Sequence, residues 1–394
     1  MATRRTRRTV VLVAALALAA TACGDDDDAA TPDPATSDTA ATGEGTDAVA
    51  AAAARVEEFR IIPDDVGVSD PLSSLPEGAQ LYYMQCSAPV CEAIGNKVVE
   101  AGELLGMTVT RIDLGATPDT VAQAWNRAVQ DMPDGIVGTG FPPPLYADQL
   151  QQLAAAGVPY VGLGFSDCDA LRDPCPAGEE NGMTANMFGT PDVELYGSLM
   201  ADFVVADSGG TANAVFYHIP DFNLHGPMLA SFQEQITAEC PDCGFAEQTA
   251  QILDIGTEIP NQVVSYLQSN PDTDYVVMAF GDMVIGVPEA LEAAGLADAA
   301  QIVSQSSGPA SYGYMRGGQV QVADFALPYG LLAYRTVDIV ARQIAGDDLS
   351  AAAGPLPRQL LEQDTIIDSD QGYWPGVEGY EEIFTGLWGL DPAA

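Results

Sequence analysis

Residues 81–106, LYYMQCSAPVCEAIGNKVVEAGELLG, constrain the rest of the chain most. Leu81, Tyr82, Tyr83 and Met84 form an unbroken apolar run that predicts a buried strand. A Ser-Ala-Pro turn follows. Val90, Ile94, Val98, Ala101 and Leu105 then recur at helical spacing, and Gly106 ends the segment before a second apolar run at 107–114. Two such strands around one helix are parallel, and their crossover is right-handed. In parallel sheets of this kind, ligands sit at the loops leaving the carboxyl ends of the strands. Here that loop is bracketed by Cys86 and Cys91. Tyr82 and Tyr83 point to opposite faces, so at most one of them reaches it.

The same alternation continues down the chain. Strands are predicted at 80–85, 108–114, 135–139 and 160–164, with helices near 91–105, 117–131 and 145–156. It restarts with strands near 212–217, 245–252, 275–279, 301–306 and 320–325. Helices near 193–206, 224–239, 259–269, 284–294 and 331–345 separate them. Asp134-Gly135-Ile136-Val137 and Asp274-Tyr275-Val276-Val277 occupy matching places in the two series. Two similar α/β lobes fit this repetition better than one long sheet, and a cleft between such lobes is a usual ligand site. Trp125 shares an apolar helix face with Val121, Ala124, Ala128 and Val129, which makes it core.

Of 394 residues, 56 are acidic and 14 basic, for a net charge of −42. Nucleic acid and anionic lipid are thereby excluded as natural partners, since both require a basic patch. Residues 1–22 read as an export signal, with Arg4, Arg5, Arg7 and Arg8 ahead of an apolar stretch. Ala20-Thr21-Ala22-Cys23 resembles a bacterial lipoprotein cleavage box that leaves Cys23 lipidated, with ordinary secretion or a retained anchor as alternatives. Residues 23–70 are rich in Asp, Ala and Thr, which predicts a disordered tether. No later apolar run is long enough to span a membrane. Beyond Cys23 the cysteines fall in close pairs, Cys86/Cys91, Cys168/Cys175 and Cys240/Cys243. An oxidising compartment would join them as local bridges, although six cysteines allow roughly 15 connectivities.

Catalytic signatures are missing. No phosphate-cradling glycine loop and no G-x-S-x-G elbow is present. His218 and His225, the only histidines, lack zinc-helix spacing and read as loop hydrogen-bonders. No metal or cofactor is expected. Cys240-Pro241-Asp242-Cys243 offers a thiol–disulfide alternative, but it follows a helical stretch where a redox CxxC opens one, so a structural bridge is favoured.

From about 80 to 345 the chain resembles the sugar-binding periplasmic proteins of ABC importers, the ribose-binding type. The resemblance rests on Ser87-Ala88-Pro89-Val90, Asp134-Gly135-Ile136, Ala155-Ala156-Gly157-Val158-Pro159-Tyr160-Val161 and Asn270-Pro271-Asp272-Thr273-Asp274, with Gly346-Asp347 after the last long helix. It implies a type I periplasmic-binding-protein fold, two Rossmann-like lobes joined by a three-segment hinge. Residues 78–187 plus about 308–326 would form the first lobe, and 188–307 plus about 327–394 the second lobe and tail. The implied protein is a monomer that closes on a small solute and hands it to a permease with its ATPase. It would touch the membrane only through its lipid. A sensor that presents its loaded form to a membrane receptor is the alternative within binding proteins.

The family's sugar-binding positions fall here on Ala88, Pro142, Met228, Phe280, Ser306 and Ala326, and its stacking rings on Val90 and Cys91. Five of those six polar positions are apolar in this chain. Buried sugar hydroxyls without partners cost about 1–3 kcal/mol each, so a less polar solute is expected. Strand ends add Phe141, Phe165 and Phe222 as candidate walls and Gln85, Thr139, Asn223, Asp282 and Gln305 as candidate polar contacts. Asp282 has a second reading as the cap of a helix beginning at Met283.

Overall fold

The computed structural model describes residues 41–164, 182–366 and 372–390; Cys23, Phe165, Cys168 and Cys175 lie outside them. The chain opens with α1 (Ala41–Glu57), β1 (Gln80–Gln85), α2 (Pro89–Leu104) and β2 (Thr108–Asp113). Next come α3 (Pro118–Asp131), β3 (Gly135–Thr139), α4 (Ala147–Ala155), β4 (Tyr160–Leu163) and β5 (Ala185–Asn186). The second series runs α5 (Thr190–Asp207), β6 (Asn213–His218), α6 (His225–Glu239), β7 (Gly244–Thr249), α7 (Glu258–Ser269) and β8 (Tyr275–Met278). It continues with α8 (Val287–Ala294), β9 (Gln301–Gln305), α9 (Pro309–Arg316) and β10 (Gln321–Ala326). The chain ends with α10 (Tyr329–Ala345), β11 (Gln359–Leu361) and α11 (Tyr380–Leu387).

These strands build two sheets, ordered β2-β1-β3-β4-β5 and β11-β10-β9-β8-β6-β7. Every pairing is parallel except β10 with β11. In each sheet the order reverses beside the first strand, which opens a crevice at the carboxyl ends. The repeat seen in the sequence has one physical basis. Asp134 Oδ2 accepts the Gln80 N–H at 2.8 Å, and Asp274 Oδ2 accepts the Asn213 N–H at 2.8 Å. Each aspartate thus ties the start of one strand to its neighbour and fixes the register. Trp125 is core, stacked on Tyr146 with centroids 4.0 Å apart and edge-on to Tyr160 at 4.9 Å.

The lobe bounds read from sequence need correction at the third crossing. β10 pairs with β9, so 321–326 belongs to the second sheet rather than the first lobe. α10, expected on the second lobe, packs against α2, β3 and β4 of the first. Gly135 is what admits it, since a Cβ there would lie 2.3 Å from Val340 Cγ1. Between β1 and β11 the crossings therefore fall near 187–189, 327–328 and 353–358, and the chain crosses again between β11 and α11.

The disordered tether expected over 23–70 also needs correction from residue 41 onward. α1 packs on α5 with Ala52 and Val56 buried, and Arg55 reaches Asp202 at 2.7 Å. Ala-rich composition misleads here because Ala favours a helix as readily as a linker. After α1 the chain returns to the first lobe, where Ser69 N–H donates to Ala351 O and Leu72 N–H to Leu387 O. α11 joins it there, with Trp388 stacked on Tyr334 at 5.5 Å. No helix among the described residues is long and apolar enough to cross a membrane.

Candidate ligand-binding site

A cavity of about 90 Å³ lies between the lobes at the carboxyl ends of both sheets. A wider hollow of about 760 Å³ opens near Asp274 and Gln301. It lies at the opposite, amino ends of β8 and β9, where this type of sheet carries no ligand loops.

The first lobe lines the cavity with Ala88, Val90, Ile94, Thr139 and Leu163 around the Cys86–Cys91 bridge. The bridge closes the β1–α2 loop, and its fit depends on Gly140. That residue has φ +90°, and a Cβ on it would stand 2.5 Å from Cys86 Cβ. Tyr83 supports the loop from beneath, donating to Cys91 O at 2.6 Å.

The second lobe contributes rings. Phe222 meets Phe280 edge-on at 6.1 Å and His225 at 5.4 Å, and Met228 and Leu224 lie beside them. Gln305 and Ser306 close the base, and Phe188, Leu327 and Tyr329 enter from the crossings. Ser306 has φ 55°, a left-handed backbone that non-glycine residues adopt at a cost. It is held there by the Ser306 N–H bond to Phe325 O and by Tyr329 OH, which donates to Ser306 O at 3.0 Å.

His225 opens α6, and its Nδ1 accepts the Ile219 N–H at 3.0 Å. Burial pushes its pKa down to about 3, with His218 adding to the effect, so the ring is neutral near pH 7. Asp282 lies just beyond the cavity wall. It does not cap its own turn. Its carboxylate instead faces the Val90 backbone N–H, at the start of a helix whose N-cap, Ala88, has no capping side chain. A carboxylate of the second lobe thus lies near the amino end of a helix of the first, with its buried Oδ2 unpartnered. Burial raises its pKa to about 6, against the lowering effect of the Val90 N–H.

The periplasmic binding protein domain profile matches residues 84–348. The chain belongs to the periplasmic binding protein domain family. No curated protein matches it. Among solved structures it resembles an ABC sugar transporter subunit from Rhodobacter sphaeroides 2.4.1, at 18% identity and TM-score 0.62, covering 73% of this chain and 99% of that one. It also resembles a solute-binding protein of Thermotoga lettingae described as a 5-methylthioribose transporter protein, in complex with that compound. Identity there is 14% and TM-score 0.66, over 81% of this chain and 99% of that one. A solute-binding protein of Actinobacillus succinogenes with bound D-allose gives 16% and 0.62, over 73% and 98%. The fold is that of the type I periplasmic binding proteins.

Within that fold, the positions carried over from the family fall in different places. Ala88, Val90, Met228, Phe280 and Ser306 all line the cavity, as do Phe222 and Gln305. Gln85 does not, because its side chain accepts from Arg111 Nε at 2.8 Å on the outer side of β1. Ala326 is sealed behind the wall, where its carbonyl accepts from Tyr196 OH at 2.9 Å. Phe141 packs against both the main core cluster, which runs through the two lobes, and the smaller first-lobe cluster around Trp125. Asn223 is half-buried off the cavity, and Pro142 leads into the turn before α4. Ile94, Leu163, Phe188, Leu224, His225, Leu327 and Tyr329 were not anticipated. Of these, the crossing residues carry no local signal, because only the hinge topology brings them in.

Cys240 and Cys243 form a bridge at the carboxyl end of α6, before β7. A redox pair draws on a helix amino terminus, and this one sits at the other end.

Proposed function

We propose that this protein is an extracytoplasmic solute-binding lipoprotein of an ABC-type importer, anchored through Cys23 and acting as a monomer. It captures one small solute by hinge closure and presents the closed form to a permease and its ATPase. Closure of this kind is driven by the solute's higher affinity for the closed state. The reading is of binding, not catalysis.

We infer further that the solute is poorer in hydroxyls than a hexose or pentose. The observation that carries this is the cavity wall: rings and aliphatic side chains from both lobes meet where sugars need paired donors and acceptors. Burying apolar solute surface there stabilises the complex by about 25 cal/mol per Å². The Thermotoga relative is named for a methylthio sugar, a solute less polar than a plain pentose, and that supports the reading. Mass spectrometry of an organic extract from protein purified out of its native host tests the reading. A copurifying compound with few hydroxyls is expected; a hexose or pentose in stoichiometric amount would overturn it.

A further inference from the structure

The polar side chains that line the cavity are largely spent inside the protein. Thr139 Oγ1 donates to Met84 O at 3.3 Å and receives the Cys86 N–H at 3.4 Å. Gln305 Nε2 donates to Ala279 O at 2.6 Å, and its Oε1 receives the Ser306 hydroxyl. Tyr329 OH is given to Ser306 O. Among the described residues lining the cavity, His225 Nε2 is the one side-chain nitrogen or oxygen without a hydrogen bond. Nδ1 is an acceptor for Ile219, so the proton of the neutral ring is on Nε2. The residue is 4% exposed and lies against Phe222 and Phe280, at 5.4 and 6.4 Å between ring centroids.

We propose that His225 Nε2–H is the solute-orienting donor of the cleft. The solute it fits is a small, neutral, largely hydrocarbon molecule with one hydrogen-bond acceptor, a carbonyl or ether oxygen or a ring nitrogen. This rests on the reading of a hydroxyl-poor solute and names the polar atom that solute must carry. A buried N–H left unpaired is costly, so an acceptor at that point separates solutes more sharply than added apolar surface does. A carboxylate is disfavoured, because no lysine or arginine among the described residues lines the cavity and the charge would be buried unpaired. Size points the same way. A volume of 90 Å³ is well below the ~300 Å³ at which drug-sized pockets begin, so a cleft of this size suits only a few heavy atoms.

Cyclopentanone and methylenecyclopentane have the same shape and differ in the acceptor. Both are titrated by NMR into wild type and His225→Asn, whose amide oxygen can still accept from Ile219 while the Nε2–H is lost. The ketone-to-alkene affinity ratio is expected to fall about tenfold in the variant. An equal ratio in both proteins overturns the donor and leaves the hydroxyl-poor reading standing. Micromolar binding of ribose, or failure of both probes at millimolar concentration, overturns the reading and the donor together. Long-range ¹⁵N–¹H correlation of the free protein gives a ligand-independent check. A neutral ring protonated on Nε2 at pH 7 supports the proposal, and an Nδ1–H tautomer or a charged ring refutes it.

Discussion

The two walls of the cleft are built differently. The first lobe offers small aliphatic side chains on a loop pinned by Cys86–Cys91 and packed onto Gly140. The second offers Phe222, His225, Phe280 and Met228, on segments that follow β6 and β8. One wall is short and stiff, whereas the other is aromatic and carries the free donor. The difference teaches a division of labour, in which the second lobe recognises the solute and the first lobe closes over it.

Unequal consequences of truncation follow. Phe280→Ala is expected to lower the unfolding free energy by about 3 kcal/mol, the low end for a buried ring, and to weaken probe binding strongly. Val90→Ala across the cleft is expected to cost about 1 kcal/mol, since it removes two methyl groups. Urea denaturation with a titration of each variant checks the pair. Equal losses would dissolve the division.

The clasp comes next in size. Cys86→Ser combined with Cys91→Ser is expected to cost about 2 kcal/mol, the chain-entropy value for so short a loop. The same double change at Cys240 and Cys243 should cost a similar amount of stability and leave solute affinity unchanged, because that bridge is remote from the cleft. Affinity loss in the second pair would mean that the lobes communicate through α6.

Acidity separates the walls by a different route. Asp282 joins them, and burial raises its pKa from 3.8 to about 6. The nearby Val90 N–H opposes that rise, and the Asp282 charge in turn raises the pKa of Tyr329 and Tyr373. A closed cleft therefore binds the Asp282 proton more tightly than an open one in which the carboxyl is hydrated. Its contribution to closure is complete below about pH 4 and is lost as pH rises through about 6. Cyclopentanone affinity is expected to improve about fivefold from pH 7.5 to pH 5, and Asp282→Asn to flatten the profile. Asp324, also raised to about 6 by burial, lies within the second lobe and receives Ser304 Oγ and the Ser307 N–H. It acts with the same sign on overall stability, which thermal unfolding reads separately from affinity.

The smallest effect is expected at the surface. Arg127→Ala breaks the pair with Asp131, in which the two side chains are 59% and 41% exposed. Solvent screening holds the loss below about 1 kcal/mol, and it should leave the cleft untouched.

Much of this architecture was legible because its strands are continuous apolar runs with glycine or Asp at their ends. β3 was read residue for residue at 135–139. The lobe assignment of β10 and α10 was not, since QVADFA pairs equally well with either sheet and only tertiary packing chooses. In the cleft, positions carried by family spacing reached the cavity more often than polar residues picked from strand ends. The reason is geometric. At a strand end one residue's step reverses the side chain, so Gln85 points out to Arg111 while Cys86 points in. His225 was read as a loop hydrogen-bonder, and its Nδ1 is one; its other nitrogen was hidden because a sequence does not show which way a ring faces. Asp282 reads as a local cap from sequence, whereas its carboxylate lies near a helix end of the other lobe.

Calorimetric titration of the purified protein with ribose, galactose, xylose and allose tests the central claim most directly. The account predicts no measurable heat of binding at micromolar to low millimolar sugar. Micromolar affinity for ribose or galactose would contradict it.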